Sequence, residues 1–302
     1  AGRLHLTVKT PEYDMPEAVP MVIFNPRPVA YRGPVELEFN MDYRPCVKYE
    51  GRDAETPVEV LDEAGRSLPF QRLATENNAF PQCPWRRRLL LDLELPAGGF
   101  RQLTPGHVSA FTAPAIDASG VSAGSNFIAN EFFRVEANPG ETQLRITRDG
   151  QPVLAQRGFE FAVYEDRFGS WGAMDEAPEG WRCDKRLQTW VIREVKVLEA
   201  GPLRAAMFVH FDGGASQVRL QVRVYRHIDW VECKAQVIWQ DRAARLRLVM
   251  DPAPEVRYAV PGGTIVRSTL GDVPGGRWLE LNGFGIASDA FCGFTMLERE
   301  FG

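Results

Sequence analysis

The stretch Val218-Arg219-Leu220-Gln221-Val222-Arg223-Val224 places an apolar residue at every second position, the period of a strand with one wet face. A polar break at Arg226 to Asp229 follows. The period then returns, with Val231, Cys233, Ala235 and Val237 on one side and Glu232, Lys234 and Gln236 on the other. Two such runs around a short break predict a long β-hairpin.

The same reading extends outward. Strands are expected at Val35 to Phe39, Val58 to Leu61, Arg87 to Leu95, Phe132 to Ala137, Gln143 to Arg148, Val191 to Leu198, Leu203 to Phe211 and Arg245 to Met250. Turn signals separate them, among them Ala97-Gly98-Gly99, Asn138-Pro139-Gly140, Asp212-Gly213-Gly214 and Pro261-Gly262-Gly263. No stretch of a dozen residues holds a clean helical period, and Gly 27 with Pro 22 would interrupt most candidate helices. The fold class is therefore all-β, built as two antiparallel β-sandwich domains whose inward rows supply the cores. Between Phe111 and Ser125 the composition turns to Ala, Ser, Gly, Thr and Pro, so the boundary is placed there, with a small sandwich over 1–113 and a large one over 114–302. The run Phe291 to Phe301 reads as a strand continuing to the end of the chain, which suggests a cut inside a domain and hence a fragment.

Composition excludes several classes. With 302 residues, 44% of them hydrophobic, the chain can bury a sizeable core and is not intrinsically disordered. Lys+Arg 35 against Asp+Glu 40 gives a net charge of -5, without the basic surface that nucleic acid requires. No apolar run reaches the roughly 18 residues of a membrane helix. The five cysteines are scattered and never form a Cys-x-x-Cys pair, which suits a reducing compartment. Residues 1–10 lack a secretory leader and no Asn-x-Ser/Thr acceptor occurs, so a cytoplasmic location is expected.

Candidate chemistry is sparse. Gly120-Val121-Ser122-Ala123-Gly124 matches the elbow of serine hydrolases, but it sits in the small-residue linker with no strand leading in and no helix leading out. His210-Phe211-Asp212 and His227-Ile228-Asp229 each place two ligand types on one strand face, yet two ligands fall short of a metal site. Neither a catalytic residue nor a metal site is assigned. The segment from Tyr164-Glu165-Asp166 through Trp171 to Trp181 mixes carboxylates with tryptophans. Such mixtures bind sugars, because carboxylates accept hydroxyl hydrogen bonds and aromatic faces stack on the ring; an acidic solvated loop is the simpler alternative. Asp166 and Trp171 are the candidate carbohydrate contacts.

Several segments in order resemble the C-terminal β region of glycoside hydrolase family 38, the α-mannosidases. They are Val22-Ile23-Phe24-Asn25-Pro26-Arg27-Pro28, Val60-Leu61-Asp62 with Gly65-Arg66-Ser67-Leu68-Pro69-Phe70-Gln71, Leu95-Pro96-Ala97-Gly98-Gly99-Phe100 and Ile128-Ala129-Asn130-Glu131-Phe132-Phe133-Arg134-Val135. Further on come Glu199-Ala200-Gly201-Pro202-Leu203-Arg204-Ala205, Asp229-Trp230-Val231-Glu232, Val260-Pro261-Gly262-Gly263-Thr264-Ile265-Val266-Arg267 and Arg277-Trp278-Leu279-Glu280.

The resemblance implies that the second sandwich is a galactose-mutarotase-like supersandwich, truncated at its C-terminal end. It implies a parent enzyme that hydrolyses α-mannosidic bonds with retention, through an upstream catalytic domain holding zinc. That domain lies outside this sequence, so no cofactor is expected in the chain itself. Its partners would be the catalytic domain and the glycan substrate, with no nucleic acid and no membrane. The region would hold the catalytic domain in place and contribute to the glycan rim. A stand-alone carbohydrate-binding module is the main alternative, and another enzyme on a large sandwich, such as a mutarotase or lyase, a third.

Overall fold

The computed structural model describes residues 18–41, 43–52, 55–75, 85–107, 116, 120–156, 158–166, 183–267, 271–289, 293–296 and 299–302. These are strands joined by turns, with one helical turn at Tyr43–Cys46 running into a 3-10 turn at Val47–Tyr49. The all-β expectation holds. Two compact units emerge, one made of residues 1–122 with 199–205 and 225–228, the other of the remainder.

The first unit carries β1 (Met21–Phe24), β2 (Tyr31–Asn40), β3 (Val58–Leu61), β4 (Gln71–Leu73), β5 (Arg86–Leu95) and β6 (Phe100–His107). They form two antiparallel sheets, in the orders β1-β6-β3 and β2-β5-β4. Leu37 and Phe39 of β2, Val58 and Val60 of β3, Leu89 and Leu91 of β5 and Leu103 of β6 share one core. Two sheets that bury a common layer make a sandwich. On β2 the alternate residues Glu36 and Glu38 point the other way, where Arg88 Nε lies 2.9 Å from Glu36 and Arg86 Nε 2.7 Å from Glu38. The arginine cluster at the start of β5 is thus half a cross-strand ion ladder, while Arg87 between them is buried.

Leu90 belongs to a second cluster, with Leu73, Leu203, Tyr225 and Ile228. Leu89-Leu90-Leu91 is therefore covered on both faces, as a central strand requires. The second cover comes from 199–205 and 225–228, and one glutamine fixes it. Gln71 Oε1 accepts from the backbone N–H groups of Leu203 at 2.9 Å and Arg204 at 2.8 Å, while Gln71 Nε2 donates to the Arg204 carbonyl at 3.1 Å. The backbone can approach this closely only at a glycine. A Cβ on Gly201 would stand 2.2 Å from Gln71 Cδ. Arg204 itself, 1% exposed, forms a two-bond fork to Glu199 at 2.7 Å for each bond and a third contact to Glu36.

Asn25 and Asp62, in two of the other segments quoted for the resemblance, form clasps of the same kind. Asn25, 3% exposed, donates through Nδ2 to the carbonyls of Pro96 and Val29, each at 2.9 Å, and its backbone N–H donates to Gly99 at 2.8 Å. Asn25-Pro26 thereby closes onto the Pro96-Ala97-Gly98-Gly99 turn. Asp62 Oδ1 accepts from the backbone of Ala64 and Arg66, each at 2.9 Å, around Gly65, whose φ of 75° lies in the left-handed region. Burial raises the Asp62 pKa, but the hydrogen bonds from Arg66 outweigh it and hold the carboxyl below its ordinary range.

The next strands are β7 (Val121–Ala123), β8 (Phe127–Asn130), β9 (Phe133–Glu136), β10 (Gln143–Arg148), β11 (Gln151–Pro152), β12 (Phe159–Glu165) and β13 (Arg186–Thr189). After them run β14 (Val191–Ala200), β15 (Arg204–Asp212), β16 (Gln217–Tyr225), β17 (Val231–Ile238) and β18 (Ala244–Val249). The last are β19 (Val256–Val260), β20 (Gly263–Arg267), β21 (Gly271–Pro274), β22 (Trp278–Leu281), β23 (Phe284–Ala287) and β24 (Gly293–Met296). An eight-stranded sheet has the path β13-β12-β10-β9-β8-β7, with β11 beside β10 and β18 beside β12. Two four-stranded sheets follow the orders β14-β15-β16-β17 and β20-β19-β22-β23, and β21 pairs with β24.

In the second unit, Phe161 of β12 meets Phe211 of β15 edge to face at 4.9 Å, joining the eight-stranded sheet to the β14–β17 sheet across a core. The expected hairpin is present, with Val218 opposite Val237 and Val224 opposite Val231. β19 and β20 turn through Pro261-Gly262, Gly262 having a φ of 81°, the proline-glycine arrangement of a type II turn. The expected strand at Phe291 to Phe301 is shorter among the described residues. β24 stops at Met296, and Phe301 then forms separate bridges to Met250 and Met296.

Gly201→Ala should destabilise the chain by about 1–3 kcal/mol, because the amide it would strike is held by three hydrogen bonds and cannot swing away. A double-mutant cycle with Gln71→Ala, read by urea denaturation, checks this. A strongly non-additive pair is expected, and full additivity would contradict the clasp.

Candidate functional site

The candidate contact Asp166 follows directly after β12, where its backbone N–H donates to the Ala243 carbonyl at 2.9 Å. Its carboxylate takes Nη2 of Arg245 at 3.0 Å and Nε at 3.2 Å. Arg245 stands on β18 opposite Tyr164. The antiparallel pairing of β12 with β18 therefore brings together residues far apart in the chain. Trp171, the other candidate contact, lies outside the described residues.

Behind Asp166 the same strands hold a larger polar cluster. Tyr164 is fully buried and donates its phenol to Glu300. Arg186 on β13 reaches Glu160 and, at 3.4 Å, Glu300. The Arg247 guanidinium lies 4.4 Å from the centre of the Tyr164 ring and donates to the Cys183 carbonyl at 2.6 Å. Burial pushes the Tyr164 phenol above its ordinary range, and the hydrogen bond to Glu300 pushes it further. A nucleophilic or general-base tyrosine needs the opposite shift. Tyr164 is thus a proton-holding core group; Asp166 is itself buried, at 9% exposure, and Arg245 is the more open member of that pair.

The two His-x-Asp triplets are parted by other partners. Asp212 accepts from the Gly214 backbone at 2.7 Å and from Arg193 Nε at 2.6 Å; these bonds, the backbone one first, lower its pKa. Asp229 takes Arg148 Nη2 at 2.8 Å, and His227 sits in a left-handed turn with a φ of 60°. Among the described residues no group of three or more His, Cys, Asp or Glu could hold a metal ion. The two triplets therefore do not fit a zinc site. The Gly-x-Ser-x-Gly match differs from expectation in one respect, since Ser122 lies on the short strand β7. The next element is the strand β8, so the strand-to-helix elbow is missing.

A second feature of the unit is an open cleft of about 300 Å³ beside β10 and β11, lined by Gln143, Arg145, Thr147, Gln156 and Phe159 among others. Gln143 Oε1 accepts from the Gly158 backbone at 3.2 Å, and the Gln156 backbone donates to Asp251 at 2.8 Å. Ile146, Pro152, Leu154 and Ala155 complete a lining that is more apolar than polar. Neither this cleft nor Arg245 could be read from sequence, because each depends on strand pairing. Among the described residues no helix is long and apolar enough to cross a membrane.

The fold and these clasps define a protein built of antiparallel β-sandwiches. The model of the glycosyl hydrolases family 38 C-terminal domain matches residues 128–280, just over half of the chain, and the chain belongs to that family. Among solved structures, a protein in glycosyl hydrolase family 38 from Enterococcus faecalis is similar, with a TM-score of 0.66 at 13% identity. The match covers 98% of this chain and 41% of that one, so the chain spans less than half of the solved protein's length. At that identity the likeness speaks for the fold. No curated protein matches the sequence.

Ionisation of Tyr164 should cost stability in alkali. Its pKa is raised in the fold, so its contribution is present below the unfolded value of about 10 and is lost as pH rises through the folded value. Tyr164→Phe should blunt the fall in urea midpoint between about pH 8 and about pH 11, leaving a remainder because Tyr31 and Tyr258 are raised too. An unchanged fall would contradict this assignment.

Proposed function

We propose that this chain is the non-catalytic β region of an α-mannosidase-like glycoside hydrolase. The observation that carries the reading is the family 38 C-terminal domain match over residues 128–280. The parent enzyme would cleave α-mannosidic linkages with retention in a separate catalytic domain, where zinc would supply the Lewis acid. This region scaffolds that domain, and Arg245, held by the buried Asp166, offers a hydrogen-bonding edge to the glycan.

The chemistry of the described carboxylates supports a scaffold role. A glycosidase needs two carboxyl groups facing one bond, with environments that split their pKa values. Here Glu36, Glu160, Glu199, Glu300, Asp62 and Asp166 each accept from an arginine within the fold. A cytoplasmic setting and a glycan partner form part of the same proposal.

A carbohydrate-binding module is the second reading, favoured by the cleft at Gln143, Gln156 and Phe159. The test of the first is direct. The purified chain, supplied with zinc, should show no turnover of an aryl α-mannoside, and measurable turnover would overturn the scaffold reading. Saturable mannose binding that Gln143→Ala abolishes and Asp166→Asn leaves intact would instead favour the module.

A further inference from the structure

The sheet β20-β19-β22-β23 carries on its outer face a shelf that its core does not need. Burial alternates along β22: Leu279 and Leu281 share a core with Val256 and Tyr258 of β19, while Trp278 and Glu280 point the other way. Residues directly opposite each other in an antiparallel pair share a face. Arg257 of β19 therefore flanks Glu280 on one side, and Gly285 and Ala287 of β23 flank Glu280 and Trp278 on the other. All five are exposed.

A single exposed tryptophan is ordinary on a protein surface. Its surroundings are not. Gly285 has no left-handed backbone to demand glycine, and its strand pairs with β22 in unbroken register. A Cβ there would meet nothing nearer than the Leu279 carbonyl oxygen at 3.6 Å, an ordinary contact. A strand glycine that neither a bulge nor packing explains marks a place where a ligand comes close to the backbone. With Ala287 two residues on, it leaves a low floor beside Trp278. Arg257 and Glu280 border that floor with their hydrogen-bonding capacity unspent. Arg257 Nε lies 3.6 Å from the Glu280 carboxylate, beyond hydrogen-bond reach, and among the described residues neither side chain is engaged elsewhere.

We propose that this shelf binds one pyranose ring, which lays its C–H face against Trp278 while neighbouring hydroxyls donate to the Glu280 carboxylate and accept from the Arg257 guanidinium. The chemistry of the border selects the ligand. Glu280 repels an anion and Arg257 a cation, and an apolar ring would leave both charges without the water it displaced. A neutral ring with hydroxyls on its rim and C–H groups on its face satisfies the aromatic and the ion pair together. The inference deepens the glycan reading given above but rests on a different place, since Arg245 and the Gln143 cleft belong to the eight-stranded sheet and its connections.

Saturation-transfer NMR on the methyl pyranosides of mannose, glucose and galactose, each titrated against the purified chain, tests the proposal. At least one should bind saturably, with a Kd of about 1 mM for a ligand of this size on an open face. Gly285→Val is the decisive variant. It removes no contact and suits a strand, so its Tm should equal or exceed that of the parent chain, yet it fills the floor and should weaken binding about ten-fold or more. Trp278→Ala should do the same and Glu280→Gln should weaken binding several-fold, while Gln143→Ala and Arg245→Ala leave it unchanged. Failure of all three pyranosides to bind would overturn the proposal, as would methylcyclohexane binding as tightly as they do. Binding that Gln143→Ala abolishes and Gly285→Val leaves intact would overturn the shelf alone and leave the binding-module reading in force.

Discussion

The buried guanidinium of Arg204 is the constraint on which the first unit depends. A charge at 1% exposure is tolerated only where its donors are used, and Glu199 and Glu36 use them. Burial works against the charge on Arg204, yet the hydrogen bonds it donates to Glu199 prevail and its pKa is raised. Glu36 shows the reciprocal balance: burial raises its pKa, and the bonds from Arg204 and Arg88 bring it below the ordinary range. Removing one partner would leave the others charged in a dry place, a loss of about 3–5 kcal/mol in comparable cases. With Gln71 fixing the backbone of the same residues, the cover over Leu90 is held by geometry as well as by apolar contact.

The clasps also explain what the segments resembling family 38 do. Asn25 closes on the Pro96 turn, Asp62 shapes the Gly65 turn, and Gln71 receives Gly201 and Arg204. Each is a buried polar side chain spending its hydrogen bonds on backbone groups that strand pairing leaves open.

Much of the architecture was legible because alternation is a local signal. The β16–β17 hairpin, the strands at the centre of β2 and along β5 and, among the described residues, the absence of long helices all follow from side-chain period and turn chemistry, whereas the pairing of β2 with β5 does not. Where a strand is covered on both faces the period vanishes, and Phe159–Glu165 was missed for that reason. The candidate site was less accessible still. Asp166 could be picked out, while Arg245, Arg247 and Glu300 reach it or its neighbour Tyr164 through pairings that span more than 75 residues.

The central claim is that these residues are a β-built support whose chemistry belongs to another part of the enzyme. Complementation measures this most directly: this chain and the remainder of its parent polypeptide, expressed separately, are assayed for aryl α-mannoside hydrolysis apart and mixed. The account requires activity to rise when the two are combined, with none from this chain by itself. A remainder that is fully active without this chain, and gains nothing from it, would contradict the account.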